Sequence, residues 1–207
     1  PEPKRYGNGY HTESLITVAQ HHNGRAIDLA MVAIAAAEGG FASTEGTDRG
    51  LFTWGQGQWT VVEQKRSNLQ TVLGFIKTRR PDLWEQHFLC FGFDVDGNDC
   101  LFKNERFKPG SLHLLFRSSP EQNRLFVERF TAAGLDPQIQ RLQREFLRKE
   151  IGNLLERSFK GRQPTQWLSP RAQALYATMF KNVPTTAHQY LIDSITAAGG
   201  GKVSDKK

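Results

Sequence analysis

Apolar positions first fall into a helical rhythm at residues 23–38, NGRAIDLAMVAIAAAE, where Ile27, Met31 and Ile34 share one face and Glu38 continues the stripe one turn later. Asn23 is the expected N-cap, and Gly39 with Gly40 the expected stop. The pattern changes at 50–59, GLFTWGQGQW, where strand formers interleaved with glycines predict a tight hairpin. A short helix is expected over 12–22, with Leu15, Ile16 and Ala19 inward. A longer one is expected over 60–79, with Val61, Val62, Leu69, Val72, Leu73 and Ile76 as its apolar face and Arg79 and Arg80 before Pro81 at its end. Pro81 opens another short helix to residue 91. From 118 onward the chain reads as helices. Ser119 caps the first and Gly134 stops it; Asp136 and Pro137 start the second, which carries Ile139, Leu142, Phe146, Ile151, Leu154 and Leu155. A third runs from Pro170 to Phe180, and a last from 185 or 186 to about 198 after Val183 and Pro184. Residues 1–11 read as a flexible linker remnant and 199–207 as a disordered tail. The expected architecture is mainly α, a helical lobe with a small β-hairpin lobe in one domain over 12–198.

Candidate chemistry centres on Glu38. A carboxyl at a buried helix end is partly desolvated, which raises its pKa and lets it serve as a general acid near neutral pH. The same phase also fits an ordinary surface glutamate in a last turn. The residues that follow bear on that choice. Glu38, Gly50, Thr53, Gly55 and Gly57 are spaced in a way that resembles the phage-type lysozymes. Glu38-Gly39-Gly40-Phe41 and Gly50-Leu51 resemble the Glu-x-Gly-Phe and Gly-Leu motifs of lytic transglycosylases and goose-type lysozymes, which share the lysozyme-like fold. The matched region is about a tenth of the chain.

That resemblance implies a peptidoglycan-degrading muramidase that hydrolyses the β-1,4 bond between N-acetylmuramic acid and N-acetylglucosamine. Glu38 would protonate the leaving oxygen, Asp48 would activate or orient water, and Thr53 would position it. Trp54, Gln56 and Gln58 are the expected sugar-contacting residues, and Trp54 and Trp59 could stack on sugar rings. One departure stands out: the family's Asp or Cys nine residues after the glutamate is Thr47 here, with Asp48 adjacent and Glu45 two residues away. The separation of two carboxylates distinguishes inversion, at about 6.5–9.5 Å, from retention, at about 5–5.5 Å. With neither Asp48 nor Glu45 inward, a single-acid lytic transglycosylase giving anhydro-muropeptides is the alternative. A non-catalytic cell-wall-binding module is another.

Residues 94–105, DVDGNDCLFKNE, align with a calcium loop of the EF-hand type. Asp94, Asp96, Asn98 and Glu105 supply side-chain oxygens at its ligand positions, and Cys100 a backbone carbonyl. Asp99 stands where glycine normally makes the sharp turn. The competing reading is an acidic β-turn between two short strands. Calcium here would be structural, and the chemistry requires no cofactor. Cys90 and Cys100 bracket this stretch, as either a bridge or two free thiols. His21 and His22 followed by Asp28 read either as a metal site or as solvated histidines at a helix end.

The net charge of +6 and pI near 9.5 favour polyanionic partners. The basic residues are scattered and no nucleic-acid-binding signature occurs, which turns the expectation to peptidoglycan glycan strands and away from nucleic acid. Arg and Lys of 137–160 read as a solvated face or, alternatively, as the lining of a groove for an anionic glycan. Trp167 and Tyr176 read as packing residues. No apolar run is long enough to span a bilayer. The expected setting is the periplasm or bacterial cell wall, reached without a signal peptide of its own. The chain is expected to act there as a monomeric domain of a larger phage or antibacterial effector protein.

Overall fold

The computed structural model describes residues 26–45, 52–61, 68–96, 99–104, 107–112, 120–159, 170–182 and 184–197. The expected arm, the 12–22 helix, the caps Asn23 and Ser119, His21, His22, Trp167 and the tail lie outside the described residues. The elements in order are α1 (Ala26–Glu38), β1 (Thr44–Glu45), β2 (Phe52–Trp54), β3 (Trp59–Val61), α2 (Asn68–Arg79), α3 (Pro81–His87), a 3-10 turn (Leu89–Phe91), β4 (Phe93–Asp96), β5 (Asp99–Asn104), β6 (Phe107–Ser111), α4 (Pro120–Leu135), α5 (Pro137–Phe159), α6 (Pro170–Asn182) and α7 (Pro184–Ala197). The chain is mainly α, and its described residues include two three-stranded antiparallel sheets, β1-β2-β3 and β4-β5-β6.

Contacts divide the chain into two compact units, one of Ala35–Leu147 with residues 1–14 and the other of Leu15–Ile34 with Arg148–Lys207. In the first, edge-to-face aromatics form the core. Phe130 of α4 meets Phe52 at 5.0 Å, Trp54 at 5.3 Å, Phe88 at 5.5 Å and Phe93 at 5.2 Å, so residues of both sheets converge on one ring. Phe93, Phe102 and Phe126 close the cluster beneath the second sheet. Such pairs each contribute about 0.5–1.5 kcal/mol beyond area burial. In the second unit Met31, Ile34, Ile151, Leu155, Tyr176 and Ala177 are buried, so Tyr176 packs as expected. Asp28 there pairs with Arg148.

Several boundaries differ from expectation. Thr60 and Val61 belong to β3, where they pair with Thr53 and Phe52, and the helix that follows begins only at Asn68. Val62 lies outside the described residues. Gly134 does not stop α4, which runs on to Leu135. It lies against the backbone of Phe41 and Ala42 so closely that a Cβ would stand 2.3 Å from the Phe41 carbonyl oxygen. Asp136 does cap α5, its Oδ1 accepting the Gln138 amide at 2.7 Å.

The stretch 93–104 takes the hairpin form. Asp96 pairs with Asp99, Val95 with Cys100 and Asp94 with Leu101, and Phe107–Ser111 adds an unforeseen third strand. Asp94 and Asp96 therefore lie on β4 and Cys100 on β5. The Asp94 carboxylate already accepts from Lys77 Nζ at 2.7 Å and from the Val95 amide at 2.8 Å. Asn98 and Glu105 lie outside the described residues. No group of three or more His, Cys, Asp or Glu able to hold a metal occurs among the described residues. Cys90 and Cys100 are free thiols, one exposed and one buried. No described helix is long and apolar enough to cross a membrane.

Candidate functional site

Glu38 is the last residue of α1. The helix ends there because Gly39 takes a left-handed backbone, φ +104°, while its amide still bonds to the Ala35 carbonyl at 3.1 Å. A closed turn follows. The Ser43 amide donates to the Gly40 carbonyl at 3.0 Å, and the Gly40 amide returns to Ser43 Oγ at 3.0 Å. Ser43 also accepts the Gly55 amide at 2.8 Å, tying the turn to the hairpin. Residues 39–43 therefore deliver the chain from the helix end straight into β1.

Strand β2 is central in its sheet. Phe52 and Trp54, two residues apart, share one face and are fully buried in the aromatic core. Thr53 occupies the alternate position. The register sets it opposite Glu45 of β1 on one side and Thr60 of β3 on the other. Its hydroxyl lies 3.2 Å from that of Thr60, whose own amide donates to Asn68 Oδ1 at 2.5 Å. Thr53 is buried despite being off the core face. Two hydroxyls at this distance can share a proton and still offer a lone pair to a water or a sugar hydroxyl. Asp48, Thr47, Gly50 and Leu51 lie outside the described residues.

The expected stacking of Trp54 and Trp59 on sugar rings needs correction. Trp54 is fully buried, and its indole N–H donates to the Phe130 carbonyl at 2.8 Å. Trp59 is equally buried, set edge-on to Phe146 at 5.7 Å. Neither ring is presented as a stacking platform. Nor do the hairpin glycines leave room for a ligand. A Cβ on Gly57 would stand 2.3 Å from the Trp59 ring, and one on Gly55 would stand 2.4 Å from Gln143 Oε1. Gln58 holds a left-handed backbone, φ 46°, and its side-chain amide donates to the Gly55 carbonyl at 3.0 Å, so it closes the turn. Gln56 is fully buried. Its side-chain amide has no hydrogen-bond partner among the described residues.

Family models, curated proteins and solved structures were each compared with this chain, and none matches.

Gln143 of α5, unforeseen in the sequence, holds this region together. Its Nε2 donates to the Phe41 carbonyl at 3.0 Å and its Oε1 accepts the Gln56 amide at 3.1 Å. One fully buried amide thus joins the turn after Glu38 to the hairpin tip. Its signal was phase: Gln143 lies four residues after Ile139 and three before Phe146, on the buried face of α5. Gln140, one turn earlier, donates to the Gly134 carbonyl at 3.0 Å and satisfies the end of α4.

Proposed function

We propose that this chain cleaves the glycan strands of peptidoglycan, hydrolysing the β-1,4 bond between N-acetylmuramic acid and N-acetylglucosamine with Glu38 as general acid. The observation that supports this reading most is the path from Glu38, the last residue of α1, through a closed turn into a sheet whose central strand carries Thr53 beside Thr60. The Glu38 carboxyl protonates the leaving glycosidic oxygen. Asp48 or Glu45 supplies the second carboxylate, which activates water or stabilises the oxocarbenium-like state. Thr53, its hydroxyl fixed by Thr60, orients that water.

Digestion of purified peptidoglycan by the chain and by Glu38→Gln, followed by mass spectrometry of the soluble fragments, tests the proposal. Reducing-end muropeptides are expected from the parent. Their rate of release should fall about a hundredfold or more in the variant, the scale of general-acid catalysis. Anhydro-muropeptides would move the assignment to a lytic transglycosylase. No release by a folded parent would overturn catalysis and leave a wall-binding module.

A further inference from the structure

Two arginines of α5 lie outside the machinery described so far. Arg141 and Arg144 are one helical turn apart and share a face. Neither has an acidic partner among the described residues, whereas the adjacent Glu145 is engaged by Arg79 at 2.6 Å. The Arg144 guanidinium sits over the ring of Phe41, 5.2 Å from its centroid. Phe41 belongs to the turn that leaves Glu38, and its carbonyl is held by Gln143, the residue before Arg144. Arg144 is therefore fixed beside that turn. Arg144, like Arg141, is exposed overall; partial desolvation of its guanidinium, and then the neighbouring Arg141 charge, hold it below the ordinary arginine value. Two like charges kept close without a counter-ion are relieved by an incoming anion. A guanidinium fork matches a carboxylate in two parallel hydrogen bonds.

We infer that Arg141 and Arg144 form a binding site for a carboxylate of the peptide stems borne by the glycan strand, next to the turn that carries Glu38. The inference rests on the peptidoglycan reading above. In an N-acetylated strand whose lactyl carboxyls are amide-linked to stems, the sugars are neutral and the stems carry the negative charge. Phosphate of other wall polymers offers similar chemistry, and soluble fragments free of phosphate separate the two sources.

The test is calorimetric titration of the full chain carrying Glu38→Gln. One ligand is a glycan tetrasaccharide with its peptide stems, and the other is the same tetrasaccharide with each stem replaced by a simple amide on the lactyl carboxyl, which leaves it uncharged. The stem-bearing fragment should bind about tenfold more tightly, the scale of a charge-assisted hydrogen bond. Adding Arg141→Gln and Arg144→Gln should abolish that ratio while leaving affinity for the amide-capped glycan unchanged. Arg144→Lys should restore part of it. Arg141 is exposed, so Arg141→Gln alone gives the readout if the double variant does not fold. Equal affinity for both fragments in the parent, or a ratio unchanged in the variants, would overturn the inference while the glycan reading stands. Binding of inorganic phosphate or duplex DNA with no binding of either fragment would overturn both.

Discussion

Gln143 uses both ends of one amide on segments far away in sequence, so its removal strands two backbone groups at once. Gln143→Leu leaves the Phe41 carbonyl and the Gln56 N–H unpaired in a place closed to solvent. Each such group costs about 1–3 kcal/mol. A loss of about 2–4 kcal/mol is expected, read from urea unfolding. The glycines give a sharper contrast. In Gly134→Ala the new methyl collides with the Phe41 carbonyl, and overpacking should destabilise by about 1–3 kcal/mol. In Gly74→Ala, within α2, nothing lies within 4 Å of the new atom, and a gain of about 0.5–1 kcal/mol is expected. Equal effects in thermal melts of these two variants would contradict the close approach at Gly134. The sequence gives no hint of that approach, because a glycine near a helix end reads as a stop. Trp54 and Trp59 differ from expectation for a similar reason: an aromatic beside glycines is compatible with either face of a hairpin. Partners distant in sequence, the Phe130 carbonyl for Trp54 and the Phe146 ring for Trp59, set the face.

Among the elements, the connection from α4 to α5 shows how much punctuation was readable. Asp136 followed by Pro137 announces a helix start, and the carboxylate does cap it. What sequence cannot reveal is that its second oxygen meets His87 Nε2 at 2.8 Å. Burial pushes the Asp136 carboxyl up, but the Gln138 amide and His87 together pull it below the usual aspartate value of 3.8. A folded-state pKa below the unfolded one means stabilisation that is full above the unfolded value. It is lost as pH falls through the folded one. Asp136→Asn keeps an acceptor for the cap but removes the titration. The melting temperature of this variant should therefore decline less steeply than the parent's below about pH 4. Matching acid limbs would show that Asp136 contributes nothing to acid sensitivity. Helix starts at Pro81, Pro137 and Pro170 were legible because proline marks a first turn, whereas Pro184, expected only as a break, is itself the first residue of α7. The second arm of the expected hairpin runs past Trp59 to Val61, because Thr60 and Val61 find partners in Thr53 and Phe52 across the hairpin and β-branched residues suit a strand.

For the whole molecule, every described residue of the candidate site belongs to the unit of Ala35–Leu147. The division into two units left no mark in the sequence: among the described residues it passes between residues 34 and 35 and between 147 and 148. Both points fall inside continuous helices, α1 and α5. No linker composition signals such a crossing. The mainly α class was readable from helical periodicity. The aromatic core that binds both sheets to α4 was readable only as an abundance of phenylalanine. Burial of the tryptophans has an optical consequence. Three of the four, Trp54, Trp59 and Trp84, are sealed within this one unit. In a Trp167→Phe background their emission should lie well to the blue of indole in water, resist quenching by iodide, and stay unchanged when glycan fragments are added. A shift in emission on adding fragments would mean that sugar reaches one of these rings after all. Steady emission would make the chain's native fluorescence a gauge of whether this unit is folded, one that is silent to occupancy of the site.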